Sequence, residues 1–147
     1  MYNEAGGKFW IWRGGRMEQY EVVLVELETN REVPLLVEAD EAERTENFEI
    51  KAVVDGQEVC AADYNYFPAF QMFRDKLLLF GYGMKCNGSR INAVQSGMQG
   101  ATDRIYLVEM GRQALMKDTA RIFDYADIDT FPNTTAQMEF FEKWSRH

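Results

Sequence analysis

The sequence predicts an α+β fold in which a mainly antiparallel sheet packs against one central helix and a short C-terminal helix. Strand-like runs dominate the first 65 residues, and the apolar period then changes to helical spacing over about 67–80. Shorter strand-like runs follow before a last helical stretch. This order lacks the regular strand–helix alternation of a doubly wound parallel fold. We expect one domain that spans residues 1–147.

The first strands are predicted from aromatic and β-branched runs. Residues 8–13 form an aromatic run between two Gly-Gly pairs, and residues 20–28 are mostly apolar and β-branched. Residues 33–38 predict the next strand. Pro34 near its start indicates an edge position, because proline cannot donate to a sheet ladder.

A hairpin is the clearest local prediction. Residues 48–54 alternate between apolar and polar, and Asp55-Gly56 separates them from a second strand-like run at 57–62. Asp-Gly between two such runs is a strong hairpin signal. The acidic residues 38–49 before this hairpin are interpreted as a connector, either a solvated loop or one helical turn.

The central helix is predicted over about 67–80. Pro68 suits its first turn, and Gly81 is placed to cap its C-terminus. The apolar positions at near-helical spacing are Phe70, Phe73, Leu77 and Phe80. Such a stripe is typical of a helix that packs on a sheet.

The last third of the chain predicts two short strands and a helix. Residues 104–110 and 119–125 are the strand candidates. The C-terminal helix is expected to run from about residue 134 to 144 and to bury Met138 and Phe141 against the core.

The negative charge is concentrated in the first half of the chain. The net charge is −8, and the first 65 residues hold 15 acidic residues against 6 Lys and Arg, a balance of −9, so the remainder carries +1. This distribution argues against nucleic-acid binding and suits a basic protein partner. The alternative explanation is that the negative charge only keeps the protein soluble. The residues expected to steer the partner are Glu38, Asp40, Glu41, Glu43 and Glu46.

Aromatic side chains are the expected anchors of such an interface. The candidates are Trp10, Trp12 and Tyr82, since aromatic residues contribute much of the binding energy at protein interfaces. The sequence predicts a cytoplasmic protein, because it shows neither a membrane-spanning apolar run nor a secretory leader. Cys60 and Cys86 are accordingly expected to be buried thiols.

Several catalytic classes are excluded by residue type. His147 is the one histidine, and a chain terminus is a poor place for a general base. Ser-His-Asp and Cys-His catalysis and a closed zinc site within the chain are therefore not expected. No cofactor is predicted, and the sequence favours a binding protein over an enzyme.

Three aspartates give the best metal candidate. Asp124, Asp127 and Asp129 offer the oxygen ligands that Mg²⁺ or Ca²⁺ prefers. The glycine and the bidentate acid of an EF-hand are missing, so turn-forming aspartates before the last helix are the favoured interpretation.

A glycine-rich segment, residues 81–104, contains the candidate ligand-binding residues Asn87, Arg90 and Ser96. These side chains suit an anion or a partner loop. The alternative is a chain of turns, with a hairpin corner at Asn87-Gly88.

The C-terminal half resembles a group of small, uncharacterised bacterial proteins with an NGxR and SGM pattern. The resemblance rests on residues 86–98, 105–111 and 122–125. The matching positions are Asn87, Gly88, Arg90, Ser96, Gly97, Met98, Gly111, Ile122 and Phe123. The resemblance implies no activity, but small acidic bacterial proteins of this kind are similar to immunity proteins of toxin systems.

Three functional hypotheses follow from the sequence. The first is a non-enzymatic protein-interaction module, of the immunity type, that neutralises a basic toxin domain. The second is a small-ligand or anion-binding domain built on residues 81–104, with a metal-assisted enzyme as its variant. The third is a homodimer that pairs through the strand at residues 8–13.

Overall fold

The computed structural model describes residues 3–4, 8–10, 17–42 and 47–146. Seven strands among these residues form an antiparallel sheet, and their bounds are Asn3–Glu4 (β1), Lys8–Trp10 (β2), Met17–Glu26 (β3), Glu32–Ala42 (β4), Asn47–Val54 (β5), Gln57–Asp63 (β6) and Tyr82–Met84 (β7). The first six lie side by side in chain order, and β7 pairs with β3.

Two helices and a second sheet complete the described fold. The helices are Tyr66–Leu79 (α1) and Thr134–Ser145 (α2). The second sheet has three strands among the described residues, Ala93–Val94 (β8), Arg104–Leu107 (β9) and Thr119–Arg121 (β10), in the order β10-β9-β8. The predicted α+β class is confirmed. No helix in the described part of the chain is long and apolar enough to cross a membrane.

The central helix forms where its apolar stripe predicts it. Phe70, Phe73 and Leu77 are fully buried against the inner face of the sheet, with relative exposures of 0%. Pro68 lies in the first turn of α1. Gly81 follows the helix with φ +90°, a conformation that glycine adopts without a steric penalty.

The predicted hairpin is confirmed. Strands β5 and β6 pair from Val54↔Gln57 outwards. Asp55 and Gly56 connect them with φ of 52° and 78°. A tight hairpin whose backbone twist matches its strands needs two residues in this left-handed region, and Asp-Gly supplies them.

The interpretation of residues 38–49 as a loop or a helical turn is wrong. Strand β4 continues to Ala42, and β5 begins at Asn47. The buried positions of β4 continue at every second residue through Ala39, which is 6% exposed. Ala39 therefore extends the inner apolar face of the strand, which keeps the acidic residues beside it in the sheet.

The expectation for the apolar side of the last helix is also wrong. Met138 and Phe141 are 56% and 43% exposed. The buried residue of α2 is Gln137 instead, with 2% exposure. The side chain that α2 buries against the rest of the fold is thus a polar one.

Other boundaries are shorter than predicted. The strand expected at 104–110 ends at Leu107, and the one at 119–125 ends at Arg121. Asn87 and Gly88 begin a short 3₁₀ turn and both have negative φ, so the expected hairpin corner is wrong. A Cβ on Gly88 would lie 2.8 Å from both Ile122 and Phe70, so close packing explains this glycine.

Candidate protein-interaction surface

Two acidic side chains of neighbouring strands lie opposite each other on the outer face of the main sheet. Alternate residues of a strand point to opposite faces, and the buried members of β3–β6 point towards α1. Asp40 and Glu49 therefore point outwards, and they are direct partners in the β4–β5 register. Like charges placed opposite each other in an antiparallel pair destabilise the sheet.

The next outward row of the sheet is partly neutralised. Glu38 accepts a hydrogen bond from Gln19 Nε2 at 3.2 Å and is the register partner of Lys51. The Lys51 ammonium lies 3.8 Å from a carboxylate oxygen of Glu49. Lys51 is thus placed between two acidic side chains, and Asp40 lies in the neighbouring row.

We call the outward acidic residues of β3–β6 the acidic face. Its described members are Glu21, Glu32, Glu38, Asp40, Glu49 and Glu58, and Glu32 forms an ion pair with Lys85 at 2.9 Å. Cys60 lies between two of them. Its partial burial and the nearby charges of Glu49 and Glu58 raise the pKa of the Cys60 thiol.

The predicted steering residues are only partly described. Glu38 and Asp40 lie on the acidic face. Glu41 lies in β4 opposite Phe48, but its side chain is outside the described set. Glu43 and Glu46 lie outside the described residues altogether.

Of the three aromatic anchors expected from the sequence, Tyr82 alone has a described side chain, and it does not lie on this face. Tyr82 is 6% exposed, and its hydroxyl bonds to the Asp55 carboxylate at 3.0 Å, so its choice as an exposed anchor is wrong. The side chain of Trp10 and all of Trp12 lie outside the described set.

Sequence reasoning missed Glu21, Glu49 and Glu58. Their signal was the two-residue alternation within each strand, which places all three on the polar side. Their proximity to Asp40 depends on the strand register, which a single sequence does not specify.

A cleft opens in this same sheet where β4 and β5 diverge. The two strands pair over Glu38–Ala42 and Asn47–Lys51, while the preceding residues of β4 pair, among the described strands, with β3 alone. The cleft has a volume of about 520 Å³ and is lined by Pro34, Leu35, Leu36, Glu38, Lys51, Ala52, Val53 and Glu58. Strand β4 lies between β3 and β5, so the edge position inferred from Pro34 is wrong for the strand, although Pro34 itself has no β5 partner in the described register.

The glycine-rich segment separates the three residues predicted to act together. Arg90 Nε donates to Asn87 Oδ1 at 3.2 Å, and Asn87 Nδ2 donates to the Arg121 carbonyl. Ser96 lines a different pocket, which holds about 300 Å³. The side chains of Asn87 and Arg90 thus form hydrogen bonds within the protein. Neither residue lines the cavity that Ser96 faces.

That pocket lies between the start of α1, the strand β8 and the exposed side of α2. It is lined by Asn65, Phe67, Pro68, Gln71, Ala93, Val94, Gln95, Ser96, Gly97, Gly100, Gln137, Met138 and Phe141. None of these lining residues is charged. The pocket suits a neutral ligand with apolar surface better than an anion.

A buried glutamine joins α2 to the rest of the fold. Gln137 Nε2 donates to the carbonyls of Gly88 and Arg90 at 2.9 and 2.8 Å. Its Oε1 accepts from Arg74 Nη2 at 2.6 Å and from Gln71. Arg74 is 1% exposed, and its burial lowers the pKa of the guanidinium. Gln137 therefore accepts a hydrogen bond from a buried cation and donates to two backbone carbonyls, those of the buried Gly88 and the partly buried Arg90.

Two carboxylates meet at a buried tyrosine on the inner side of β3. Tyr20 Oη bonds to Glu18 and, at 3.0 Å, to Asp103. Arg121 donates to Asp103 at 3.3 Å, and the Tyr66 hydroxyl lies 3.3 Å from that of Tyr20. Burial, followed by neighbouring charges, raises the pKa of Tyr20. The cluster ties the segment before β9 to the main sheet.

The aspartates of the metal candidate do not converge. Asp127 forms an ion pair with Lys85 at 3.4 Å. Among the described residues, no group of three or more His, Cys, Asp and Glu side chains is arranged to hold a metal ion. The metal interpretation gains no geometric support.

Comparisons with protein families and with curated proteins find no match for this chain. The resemblance to small bacterial proteins therefore stays a prediction.

Proposed function

We propose that this chain is a non-enzymatic protein-interaction module whose acidic face binds a basic protein partner. The facing pair of Asp40 and Glu49 is the observation that supports the proposal most strongly. Lys51 already lies 3.8 Å from Glu49, so a cationic side chain of a partner placed beside Asp40 would offset the repulsion that remains between the two carboxylates. Electrostatic complementarity of this kind accelerates association and selects partners by charge.

The same negative charges favour a partner with a positively charged surface. A basic toxin domain bound by an immunity-type protein in a bacterial cytoplasm fits an acidic chain of this size. The partner would contact the outer face of β3–β6 and leave the buried polar clusters around Gln137 and Tyr20 intact.

Neutralising one member of the facing pair is expected to stabilise the free protein. Asp40→Asn removes the like-charge contact, so the free energy of unfolding should rise by about 0.2–1 kcal/mol. The same variant should bind a basic probe, immobilised poly-lysine, more weakly. Chemical denaturation and retention at increasing salt measure the two effects.

A variant with the same change in charge elsewhere provides the control. Glu139→Gln removes one exposed negative charge from α2. It should weaken retention on poly-lysine less than Asp40→Asn does. Equal losses in the two variants would show that net charge, and not the acidic face, governs binding.

The neutral pocket beside Ser96 favours a second function, the binding of a small apolar ligand. N-phenyl-1-naphthylamine, an uncharged fluorescent probe, should gain intensity with the wild-type protein. Ser96→Trp should abolish this gain by filling the pocket, whereas Met116→Trp, at a position 82% exposed, should not. Equal signals from both variants would place the probe elsewhere.

A further inference from the structure

We infer that the partner inserts an extended basic segment into the cleft between β4 and β5, where it adds to β4 as a strand. The inference rests on the proposed function and specifies how the partner is held. It follows from the side of β4 that no described strand pairs with before Glu38, the apolar floor of the cleft and the charges on its rim.

The hydrogen-bond pattern of β3 shows which backbone groups of β4 face the cleft. The Val23 carbonyl accepts from the Lys85 amide at 2.8 Å, on the side of β3 that faces away from β4. Backbone groups of successive residues in an antiparallel strand point to alternate sides. Val23 and its register partner Pro34 therefore form a non-hydrogen-bonded pair.

The free groups of the cleft follow from this parity. The carbonyl of Pro34 and both backbone groups of Leu36 point away from β3, towards the side that β5 occupies farther along the strand. The register of β4 with β5 begins only at Glu38↔Lys51. Pro34 has no amide proton, so this edge offers a carbonyl, then an amide and a carbonyl.

The side chains around the cleft specify what the added strand carries. Leu35 and Ala52 are inward residues that form its floor. Leu36 and Val53 are 45% and 63% exposed beside it. A strand with small apolar residues facing inwards satisfies these surfaces.

The outward residues of the added strand would lie near the acidic face. Glu38 and Glu58 both line the cleft, together with the single cation Lys51 among its described lining residues. Lysine or arginine at alternate positions of the partner segment therefore complements the rim. Strand addition of this kind takes affinity from the backbone and specificity from alternate side chains.

Backbone methylation of a model peptide tests the inference. The probe is an acetylated Lys-Val-Lys-Val-Lys-Val amide, and its analogues carry N-methyl groups on either the lysine or the valine amides. In the bound peptide, the side chain of a lysine opposite Leu36 points outwards, as that of Leu36 does. The backbone amide and carbonyl of this lysine form the hydrogen bonds to β4. Lysine methylation should therefore weaken binding about tenfold or more, through the loss of backbone hydrogen bonds. Valine methylation should have a smaller effect.

Amide hydrogen exchange locates the peptide. The Leu36 amide should exchange quickly in the free protein and become protected by the parent peptide and by the valine-methylated analogue. The lysine-methylated analogue should leave it unprotected. The amide of Val37, which bonds to β3, serves as an internal control that is protected throughout.

The outcomes separate this inference from the proposed function. Equal, salt-sensitive binding of all three peptides that is lost in Asp40→Asn would overturn strand addition and leave the acidic face as a binding surface. Binding of none of them would overturn the inference, and retention on poly-lysine would then decide the proposed function separately. Protection of Leu36 that grows with protein concentration alone would assign the cleft to a second copy of the chain and overturn the inference.

Discussion

Replacing Gln137 with leucine is expected to lower the free energy of unfolding by about 3 kcal/mol or more. The substitution keeps the size of the side chain but removes the donor to the buried Gly88 carbonyl and one of the two donors to the Arg90 carbonyl, which also accepts from the Ala93 amide. It also removes the acceptor that lies 2.6 Å from Arg74 Nη2. A buried cation that loses a hydrogen-bond partner is more costly than a neutral group. Equilibrium denaturation in urea measures the loss.

The neighbouring residue provides a matched control. Met138 is on the same helix but 56% exposed, so Met138→Ala should change the free energy of unfolding by about 0.5 kcal/mol or less. A Gln137→Leu variant as stable as Met138→Ala would contradict the account of how α2 is held. Retained stability of the Gln137→Leu variant would mean that the apolar contacts of α2 are enough to hold the helix in place.

Reversing the charges of the facing pair is expected to give the largest effect on partner binding. In Asp40→Lys/Glu49→Lys, the acidic face changes by four charge units at its centre. Association with a basic partner captured from the native host should slow by about tenfold or more, and the salt dependence of the rate should flatten. Stopped-flow or biolayer kinetics at several salt concentrations measure both.

The equivalent change on α2 controls for net charge. Glu139→Lys/Glu142→Lys introduces the same four charge units on an exposed helix away from the sheet. Its association rate should stay closer to that of the wild type. If both double variants slow association equally, long-range charge alone steers the partner, and the assignment of the acidic face is wrong.

Local features of the fold could be predicted because each depends on a short stretch of chain. The Asp55-Gly56 hairpin and the limits of α1 follow from turn chemistry and from one apolar stripe. The length of β4 could not be predicted, since its acidic residues have low strand propensity. Burial of Ala39 and pairing with β3 and β5 override that propensity.

The last helix shows a different limit. The apolar residues Met138 and Phe141 indicated a buried side, yet the contacts of α2 depend on Gln137. Its partners, Arg74, Gly88 and Arg90, are distant in sequence, as are Asp75 and Arg112, which bond to Thr134 and Trp144 of the same helix. Periodicity measures how apolar a face is and carries no information about such long-range polar contacts.

Only some residues of the acidic face could be predicted, for the same reason. Glu38 and Asp40 could be selected from the local excess of acidic residues. Glu49 and Glu58 belong to the same face only because the β4–β5 and β5–β6 registers place them there. The cleft could not be predicted, because it depends on where the pairing of β4 with β5 stops.

Mapping the partner's footprint by NMR tests the central claim most directly. Amide signals of the ¹⁵N-labelled protein would be recorded during titration with the basic partner captured from the native host. We expect the largest shifts at outward positions of β3–β6, centred on Asp40 and Glu49, with few in α2. Shifts confined to the neutral pocket beside Ser96 and to α2 would contradict the account and favour the small-ligand surface as the functional site.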